Sequence, residues 1–317
     1  MLYLDDDNIG TLGINWQECI DAIYTTIQIL AKKDVVQPIK PYLRYKNNQN
    51  RIIAMPAYVG GRIQSVGIKW IASFPENIKR GIPRAHSVVI LNNIDNGVPE
   101  TILNAPLLSI IRTASVTGMT IQKYDILRKK DSYTIGIIGF GPIGYHHALM
   151  CRDLLSDKVS KLMIYDIRDV SIPKDFQNIE IVKSWLNIIE ESDIVVTCTV
   201  SEKPYINYAP RKGSLHINVS LRDYDVEMMQ YFLGNIVVDD WDEVCRENTD
   251  IEKMALEKNL KKEDTVSLAE FILNEHICLR NRDEAIMINP MGMAIFDISM
   301  AQYYTKKARQ QKIGLEL

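Results

Sequence analysis

The hydrophobic pattern from Tyr133 onward is that of a buried parallel sheet. Short, almost continuous apolar runs alternate there with segments of helical length. Strands that are buried on both faces give this pattern, because helices cover both sides of their sheet. The runs lie at Tyr133–Ile138, Lys161–Asp166, Glu180–Lys183, Asp193–Thr199, Ser214–Val219 and Asn235–Asp239. They predict an α/β fold with a doubly wound parallel sheet.

The segment before Tyr133 has a mixed pattern. Apolar residues recur at helical spacing from Trp16 to Ala31, which predicts a helix. Asp95-Asn96-Gly97 contains residues that tolerate positive φ, which predicts a hairpin turn. Strand-like runs precede this turn at Arg51–Met55, Ser65–Trp70 and Ser87–Leu91. The pattern predicts a separate α+β domain.

Two further helices suggest how the domains are connected. A helix from about Leu108 to Gln122 is predicted to join the first domain to the second. A last helix, Ile298–Gln311, follows the predicted sheet, so we expect the chain to cross back to the first domain. The expected first domain is therefore discontinuous, with residues 1–115 and 298–317, and residues 116–297 form the second.

A glycine-rich motif follows the first predicted strand of the sheet. Tyr133–Ile138 leads directly into Gly139-Phe140-Gly141-Pro142-Ile143-Gly144, and a predicted helix comes next. In a Rossmann-type domain the first glycine permits the tight turn, the second lets the backbone approach a pyrophosphate, and the third lets helix and strand pack closely. The helix N-terminus then offers free N–H groups to the phosphates. The motif predicts dinucleotide binding; the alternative is a glycine-rich turn that binds nothing.

The end of the second predicted strand indicates which dinucleotide is bound. Asp166 stands where a carboxylate is expected to accept a hydrogen bond from a ribose 2′-OH. The same carboxylate would repel a 2′-phosphate, so NAD is favoured over NADP. Arg168 is close enough in sequence to weaken this preference, because a guanidinium attracts phosphate.

Composition and charge exclude several classes of protein. The chain has 317 residues, of which 46% are hydrophobic and 24% charged, which is typical of a globular protein with a sizeable core. A formal net charge of -3 does not provide the excess of basic residues that nucleic-acid binding requires, and no apolar run is long enough to span a membrane. The N-terminal residues lack a secretion signal, and the five scattered cysteines include no Cys-x-x-Cys pair. We therefore expect a cytoplasmic protein without a metal site.

Basic residues of the first domain are candidates for substrate binding. They stand next to apolar or turn residues rather than in solvated charge runs: Arg44, Lys69, Arg84 and Arg112. Singly, each is more typical of a surface or ion-paired residue. Together, beside a nucleotide-binding domain, they predict a pocket for a substrate with several carboxylates, which Arg binds bidentately.

Asp223 is the candidate acid or base. It follows the predicted strand that ends near Val219, and ligands of open α/β sheets bind beyond the carboxyl ends of the strands. A carboxylate at that position can reach a substrate lying against a nicotinamide ring. The alternative is that Asp223 caps a helix.

Several motifs recur, in this order, in one family. They are Pro38–Arg44, Met55-Pro56, Gly67–Trp70, Arg112–Ser115, the glycine loop and Asn289–Ala294. On these residues the chain resembles the ornithine cyclodeaminase/mu-crystallin family along essentially its whole length. Gln37–Arg44, Val237–Trp241 and Asn289–Ala294 resemble most the branch that produces L-2,3-diaminopropionate for siderophores.

The resemblance implies a homodimer built through the first domain. It implies that Arg44, Lys69 and Arg112 bind a substrate carboxylate. It also implies that Asp223 is the catalytic carboxylate and that Lys69 is a second catalytic residue. Lys40 and Arg84 are assigned to the additional carboxylates. The implied NAD contacts are Thr113, Gly139, Gly141, Pro142, Ile143, Gly144, Asp166, Cys198, Thr199, Val200, Asn218, Ser220, Met291 and Gly292.

The activity implied is the NAD-dependent oxidative cleavage of N-(2-amino-2-carboxyethyl)-L-glutamate to L-2,3-diaminopropionate and 2-oxoglutarate. Ornithine cyclisation is disfavoured, because Ile53 stands where ornithine cyclodeaminases carry a Glu for the distal amine. An alanine dehydrogenase, a ketimine reductase or a cyclodeaminase is the alternative within the family. A non-catalytic NAD-binding protein is the alternative from another class, and Lys69 and Asp223 argue against it.

Overall fold

The computed structural model describes residues 1–104, 106–172, 176, 178–275 and 283–317. The strands are β1 (Leu2–Asp5), β2 (Val35–Val36), β3 (Tyr42–Leu43), β4 (Arg51–Val59), β5 (Ser65–Ser73), β6 (Ala85–Asn92), β7 (Pro99–Asn104), β8 (Tyr133–Ile138), β9 (Val159–Tyr165), β10 (Ile179–Ile181), β11 (Ile194–Thr197), β12 (Leu215–Asn218), β13 (Ile236–Val238), β14 (Thr265–Ser267), β15 (Ile286–Asn289) and β16 (Leu315–Glu316). The helices are α1 (Asp6–Leu12), α2 (Trp16–Ala31), α3 (Pro106–Arg128), α4 (Pro142–Leu155), α5 (Trp185–Glu191), α6 (Met229–Phe232), α7 (Trp241–Val244), α8 (Asp250–Lys258), α9 (Leu268–Leu273) and α10 (Ala294–Gln311).

The chain forms two compact units. Unit 1 comprises Met1–Ser115 and Gly292–Leu317, and unit 2 comprises Val116–Met291. The return to unit 1 therefore comes earlier than the expected residue 298. The physical reason is that α10 begins at Ala294, so that the expected start at Ile298 lies one turn inside the helix. The roles expected for the two domains stay predictions.

Unit 2 contains the predicted parallel sheet. Its strand order is β10-β9-β8-β11-β12-β15-β13-β14, and all of these pairs are parallel. The chain builds outward from β8 in one direction and from β11 in the other, so β8 and β11 flank the switch point where such sheets bind ligands. The predicted doubly wound α/β fold is confirmed.

Burial explains why the strands of unit 2 could be recognised. Every residue of β11, β12, β13 and β15 is buried, because helices cover both faces of the sheet. The six predicted runs each overlap a strand, namely β8 to β13. The strands β14 and β15 were not among the predicted runs.

Unit 1 is built on a mostly antiparallel sheet. Its order is β16-β1-β7-β6-β5-β4-β2, with β3 pairing on β4, and only the β1–β7 pair is parallel among those described. One face packs against α10 and buries Met55, Lys69 and Val89. The predicted helix Trp16–Ala31 is confirmed as α2, and the predicted hairpin turn joins β6 to β7 with Gly97 at φ 78°.

Two observations concern the cellular compartment of the protein, namely its helices and its cysteines. None of the helices in the described ranges combines the length and the apolarity that crossing a bilayer requires. Cys19, Cys151, Cys198 and Cys245 are free thiols, and Cys278 lies outside the described residues. The expected cytoplasmic location stays a prediction.

Candidate active site

A buried group of charged residues lies between the sheet of unit 1 and α10. Lys69, in the middle of β5, is 1% exposed and donates from Nζ to Asp297 Oδ1 at 2.8 Å and to Ser109 Oγ at 2.6 Å. Arg112 on α3 donates from Nε to the same Asp297 oxygen at 3.0 Å. Two cations therefore share one carboxylate oxygen. The other oxygen, Oδ2, is buried and has no hydrogen-bond partner among the described residues.

A third cation belongs to the same group. Lys40 is buried and donates from Nζ to the Gly292 carbonyl at 2.8 Å, and its charge contributes to the pKa of Lys69. Gly292 has φ 87°, and a Cβ at this residue would lie 2.8 Å from Arg112 Nη1. A side chain at residue 292 would therefore displace Arg112. We call Lys40, Lys69, Arg112 and Asp297 the cation cluster.

The electrostatics of the cation cluster favour an anionic ligand. Burial, together with the charges of Arg112 and Lys40, lowers the pKa of Lys69 to about 8 against the attraction of Asp297. Burial would raise the pKa of Asp297, but Arg112 and Lys69 outweigh burial and the pKa of this carboxyl is lowered. Lys69 and Arg112 share the single ionised carboxylate of Asp297, so this buried pair of cations offers its remaining positive charge to a carboxylate ligand.

Three further residues of unit 1 that are predicted to contact ligands are more exposed, namely Arg44, Arg84 and Thr113. Arg44 is exposed and its guanidinium carbon lies 5.3 Å from the centre of the Tyr42 ring. Arg84 is half-buried just before β6. Thr113 is half-buried and its hydroxyl donates to the Ser109 carbonyl, one turn earlier in α3. The ligands assigned to these three residues stay predictions.

Asp223 lies on the loop after β12 in unit 2. It is buried, the Thr199 hydroxyl donates to Oδ1, and the Ser220 hydroxyl donates to Oδ2. Burial raises the pKa of Asp223, although both hydroxyls oppose this. A carboxylate with a raised pKa is a better base near neutral pH. The capping role falls to Asp225, which accepts from the Glu227 N–H at 3.0 Å, so the alternative assignment of Asp223 as a cap is wrong.

The loop of Asp223 has its own buried network. Asn218 is fully buried, accepts from the Leu221 N–H at 2.9 Å, and donates from Nδ2 to Asp250 Oδ2 at 2.9 Å. Leu221 has φ 62°, which a leucine rarely adopts. The loop is therefore shaped by hydrogen bonds from its surroundings. Among the other predicted NAD contacts after β11, Cys198 and Thr199 are half-buried and Val200 is exposed.

Two glycines of the glycine loop are required by the fold. Gly139 has φ 91°, and a Cβ there would lie 2.7 Å from the Cys198 carbonyl oxygen. A Cβ on Gly144 would lie 2.0 Å from the Gly139 carbonyl oxygen. Gly141 differs from both, since its φ is -75° and the nearest atom to an added Cβ is Arg168 Nη2, at 4.0 Å. The space beside Gly141 is therefore open to a ligand.

The surroundings of Gly141 fit the phosphates and the ribose of a dinucleotide. Gly141 is the N-cap of α4 and makes no side-chain capping bond, so N–H groups of the first helical turn can bind an anion. A cavity of about 480 Å³ opens here, lined by Phe140, Gly141, Pro142, Tyr145, Asp166 and Arg168 among others. Its size is that of a typical small-molecule site.

Asp166 is already hydrogen-bonded on both oxygens. Oδ2 accepts from the Phe140 N–H at 2.8 Å, and the Arg168 guanidinium donates to both oxygens at 3.1 Å. Burial would raise the pKa of Asp166, but the bonds from Arg168 and Phe140 outweigh it and lower the pKa. The side chain of Arg168 is 64% exposed, so it has room to move aside for a ribose hydroxyl.

The fold and these two groups of residues define a class of protein, in which the chain has a Rossmann-type unit with an open glycine loop and an α+β unit with a buried cation cluster. The model of the ornithine cyclodeaminase/mu-crystallin family matches residues 8–312, and the chain belongs to this family. The resemblance found in the motifs is thereby confirmed.

Individual relatives match over the whole chain. N-((2S)-2-amino-2-carboxyethyl)-L-glutamate dehydrogenase of Staphylococcus aureus (strain NCTC 8325 / PS 47) is 34% identical, over 100% of this chain and 98% of its own length. The solved Delta(1)-pyrroline-2-carboxylate reductase of Thermococcus litoralis, in complex with NADH and L-proline, has a TM-score of 0.88 at 24% identity and full coverage of both chains. An archaeal alanine dehydrogenase dimer with bound NAD has a TM-score of 0.85 at 23% identity, over 100% of this chain and 98% of its own. The two solved structures confirm the fold.

Proposed function

We propose that this protein is an NAD-dependent oxidoreductase that cleaves N-(2-amino-2-carboxyethyl)-L-glutamate to L-2,3-diaminopropionate and 2-oxoglutarate. The observation that carries the proposal is the cation cluster, in which the buried Lys69 and Arg112 share one oxygen of Asp297 and the buried Lys40 donates to the Gly292 carbonyl. A substrate with several carboxylates would find hydrogen-bond donors of opposite charge in this cluster. The Staphylococcus aureus relative, which is named for this substrate, supports the proposal.

The glycine loop supports NAD as the cofactor. Gly141 and the N-terminus of α4 would hold the pyrophosphate, and Asp166 would accept from the ribose 2′-OH. When bound, NAD would be the oxidant and would accept a hydride from the α-carbon of the glutamate moiety. The NAD and NADH in the two solved relatives agree with this cofactor.

The residues of the chain serve the other steps. The cation cluster holds substrate carboxylates, and loss of the hydride leaves a C=N bond at the α-carbon. Water adds to this carbon while Asp223 takes up the proton that the water releases. The C–N bond then breaks, and the hydroxyl proton of the adduct passes to the departing nitrogen. One substrate, one water and NAD thus give the two products, NADH and one proton.

Ile53 supports this substrate over ornithine. It is buried on the face of β4 that also carries Met55, and Met55 pairs with Lys69 across the sheet. An apolar side chain at this position offers no hydrogen-bond acceptor to a distal ammonium group. Cyclisation of ornithine therefore lacks the contact that its substrate requires.

Product analysis tests the proposed reaction. The purified protein is incubated with NAD and N-(2-amino-2-carboxyethyl)-L-glutamate while the absorbance of NADH is followed, and mass spectrometry identifies the products. We expect NADH, 2-oxoglutarate and L-2,3-diaminopropionate in equal amounts. L-alanine and L-ornithine are the comparison substrates.

The comparison substrates also decide the alternatives. Net NADH from L-alanine, with none from the triacid, would make the protein an alanine dehydrogenase. Proline formed from ornithine without net NADH would make it a cyclodeaminase, because a cyclodeaminase regenerates its cofactor within each turnover. NAD binding without turnover of any of these substrates would favour the non-catalytic alternative.

The pH dependence should report the ionisation of Lys69. Because its pKa is lowered to about 8, Lys69 is charged below this pH and neutral above it. We expect kcat/KM for the triacid to fall as the pH rises through about 8, since a neutral amine binds a carboxylate weakly. The Lys69→Arg variant should lack this fall, because a guanidinium stays charged. Identical profiles for the two proteins would contradict the assignment.

Asp166 should control the choice of dinucleotide. In the Asp166→Ser variant we expect kcat/KM to decrease with NAD and to increase with NADP, because the repulsion of a 2′-phosphate is removed and Arg168 is released from its ion pair. The double variant Asp166→Ser/Arg168→Ala is the matched control and should lose the gain with NADP. Unchanged kinetics with both cofactors in Asp166→Ser would remove Asp166 from the ribose contact.

We also propose that the protein is a homodimer built through unit 1. The face of its sheet opposite α10 carries apolar side chains that are only half-buried or exposed, namely Pro56, Ile68, Trp70, Val88 and Ile90. Trp70, the largest of these residues, is 45% exposed. Large exposed apolar surfaces mark protein interfaces. The Trp70→Glu variant should shift the mass measured by light scattering to that of a monomer, and a wild type that is monomeric would reject the proposal.

A further inference from the structure

A second buried carboxylate holds the loop that carries Asp223. Asp250, the first residue of α8, is fully buried, and its Oδ2 accepts three N–H groups. The donors are the backbone N–H of Asp223 at 3.0 Å, the backbone N–H of Tyr224 at 3.1 Å and Asn218 Nδ2 at 2.9 Å. In the other direction, the Asp250 N–H donates to the Leu221 carbonyl at 2.8 Å. One residue thus binds the loop at four points.

The environment of Asp250 is an unusual one for a charge. In the described part of the chain Asp250 Oδ1 has no hydrogen-bond partner, and the charge of Lys253 offsets the cost of burial only in part. Burial raises the pKa of Asp250 to about 6, against the bonds from Tyr224 and Asn218, and the charge of Asp223 raises it as well. A buried carboxylate next to a second one is costly, so a function that needs its geometry is expected.

We infer that Asp250 is a positioning residue that fixes the direction of the Asp223 carboxylate. This inference rests on the proposed function, in which Asp223 handles the protons of the reaction. Asp223 and Leu221 belong to a short loop in which Leu221 adopts φ 62°, so the loop does not hold its shape through the preferences of its own residues. The charge on Asp250 Oδ2 compensates for this by attracting the two consecutive N–H groups of Asp223 and Tyr224.

Two substitutions of Asp250 separate positioning from mere folding. Asp250→Ala removes the acceptor, and we expect kcat to fall roughly 10²-fold, because a displacement of about 1 Å costs this much. Asp250→Asn keeps an acceptor oxygen and should restore most of kcat. The matched control is Asp193→Ala, which removes a buried carboxylate that accepts from the Thr134 N–H at 2.9 Å at the opposite end of β11. It should lower the melting temperature without lowering kcat.

The pH profile of Asp250→Asn adds a measurement that a structural role would not change. Removing the negative charge beside Asp223 makes the remaining carboxylate lose its proton more easily, so the acid limb of kcat should move to lower pH. If Asp250→Ala does not fold, the pH profile of Asp250→Asn still tests the positioning role of Asp250. An unshifted limb in Asp250→Asn would overturn the inference, as would a kcat of Asp250→Ala equal to that of Asp193→Ala.

Hydrogen exchange tests the same inference without turnover. Amides of residues 218–225 should exchange faster in Asp250→Ala than in the wild type or in Asp250→Asn, and those of Asp193→Ala should be unchanged in this segment. Equal exchange in all four proteins would overturn the inference. If the wild type fails on the triacid, the proposed function fails alone, and kcat is then compared on whichever amino acid the wild type oxidises.

Discussion

The Lys69→Met variant is expected to lose turnover by roughly 10²-fold and still to bind NAD. Truncating one partner of a buried, hydrogen-bonded charge pair between a protein and its ligand costs about 2–5 kcal/mol of binding free energy, and about 1.4 kcal/mol corresponds to a factor of ten. The cation cluster would lose one of its cations, and among the described residues Asp297 Oδ1 would keep the hydrogen bond from Arg112 alone. The substrate carboxylates would therefore lose a charged contact in a place that water does not reach.

Two measurements are needed for Lys69→Met. Steady-state kinetics with the triacid give kcat/KM, and a fluorescence titration gives the affinity for NADH. The titration should be nearly unchanged, because the glycine loop belongs to unit 2 and Lys69 to unit 1. Lys69→Arg is the control that keeps the charge. Normal turnover by Lys69→Met would show that the assignment of the cation cluster is wrong.

The Asp223→Asn variant is expected to lower kcat by roughly 10²- to 10⁴-fold with little change in KM. Asparagine has almost the shape of aspartate and can still accept from one of the two hydroxyls, but it cannot take a proton from water. Rapid-quench analysis of the products would show whether the hydrolysis of the C=N bond has become slow. A change confined to KM would make Asp223 a binding group instead.

Ser220→Ala is the matched control for Asp223→Asn. It leaves the carboxylate in place and removes one of the three hydroxyls, those of Thr197, Thr199 and Ser220, that oppose the rise in its pKa. We expect the acid limb of the kcat profile to move to higher pH, because the ionised form loses a hydrogen bond.

The fold of unit 2 could be predicted largely from the sequence, for a physical reason. Strands that are buried on both faces contain few polar residues, so their apolar runs stand out from the polar connections. The strands that were missed are short: Thr265–Ser267 is only partly buried, and Ile286–Asn289 runs directly into the motif Asn289–Ala294. In unit 1 no predicted run covers β1, β2, β3, β7 or β16; of these, β7 is exposed at both ends, which weakens its alternation, and β2, β3 and β16 have two residues each.

The candidate site could be predicted only in part. Lys69 can be recognised from the sequence because a lysine is unusual in a strand of apolar residues, but its partner Asp297 is 228 positions away in the sequence. A long-range ion pair leaves no local pattern. One signal was available, since Asp297 is the only acidic residue of Ala294–Gln311 and lies among residues that are all buried. An isolated acid in such a helix requires a cationic partner.

Asp250 could not have been recognised in this way. An acidic residue in the first turn of a helix is common, because it interacts favourably with the helix dipole. Thr249 precedes it and caps α8, so the sequence Thr249-Asp250 has a sufficient local explanation. Only the coordinates show that its Oδ2 faces the N–H groups of Asp223 and Tyr224.

The open space beside Gly141 has a consequence for the evolution of this family. Gly139 and Gly144 must be retained by any descendant that keeps the strand-to-helix turn, whether or not it binds a nucleotide. Gly141, in contrast, is preserved only by selection for ligand binding. A lineage that gave up its coenzyme should therefore first accumulate larger side chains at this central position while the two flanking glycines persist, and such a sequence could be recognised as a folded non-binder.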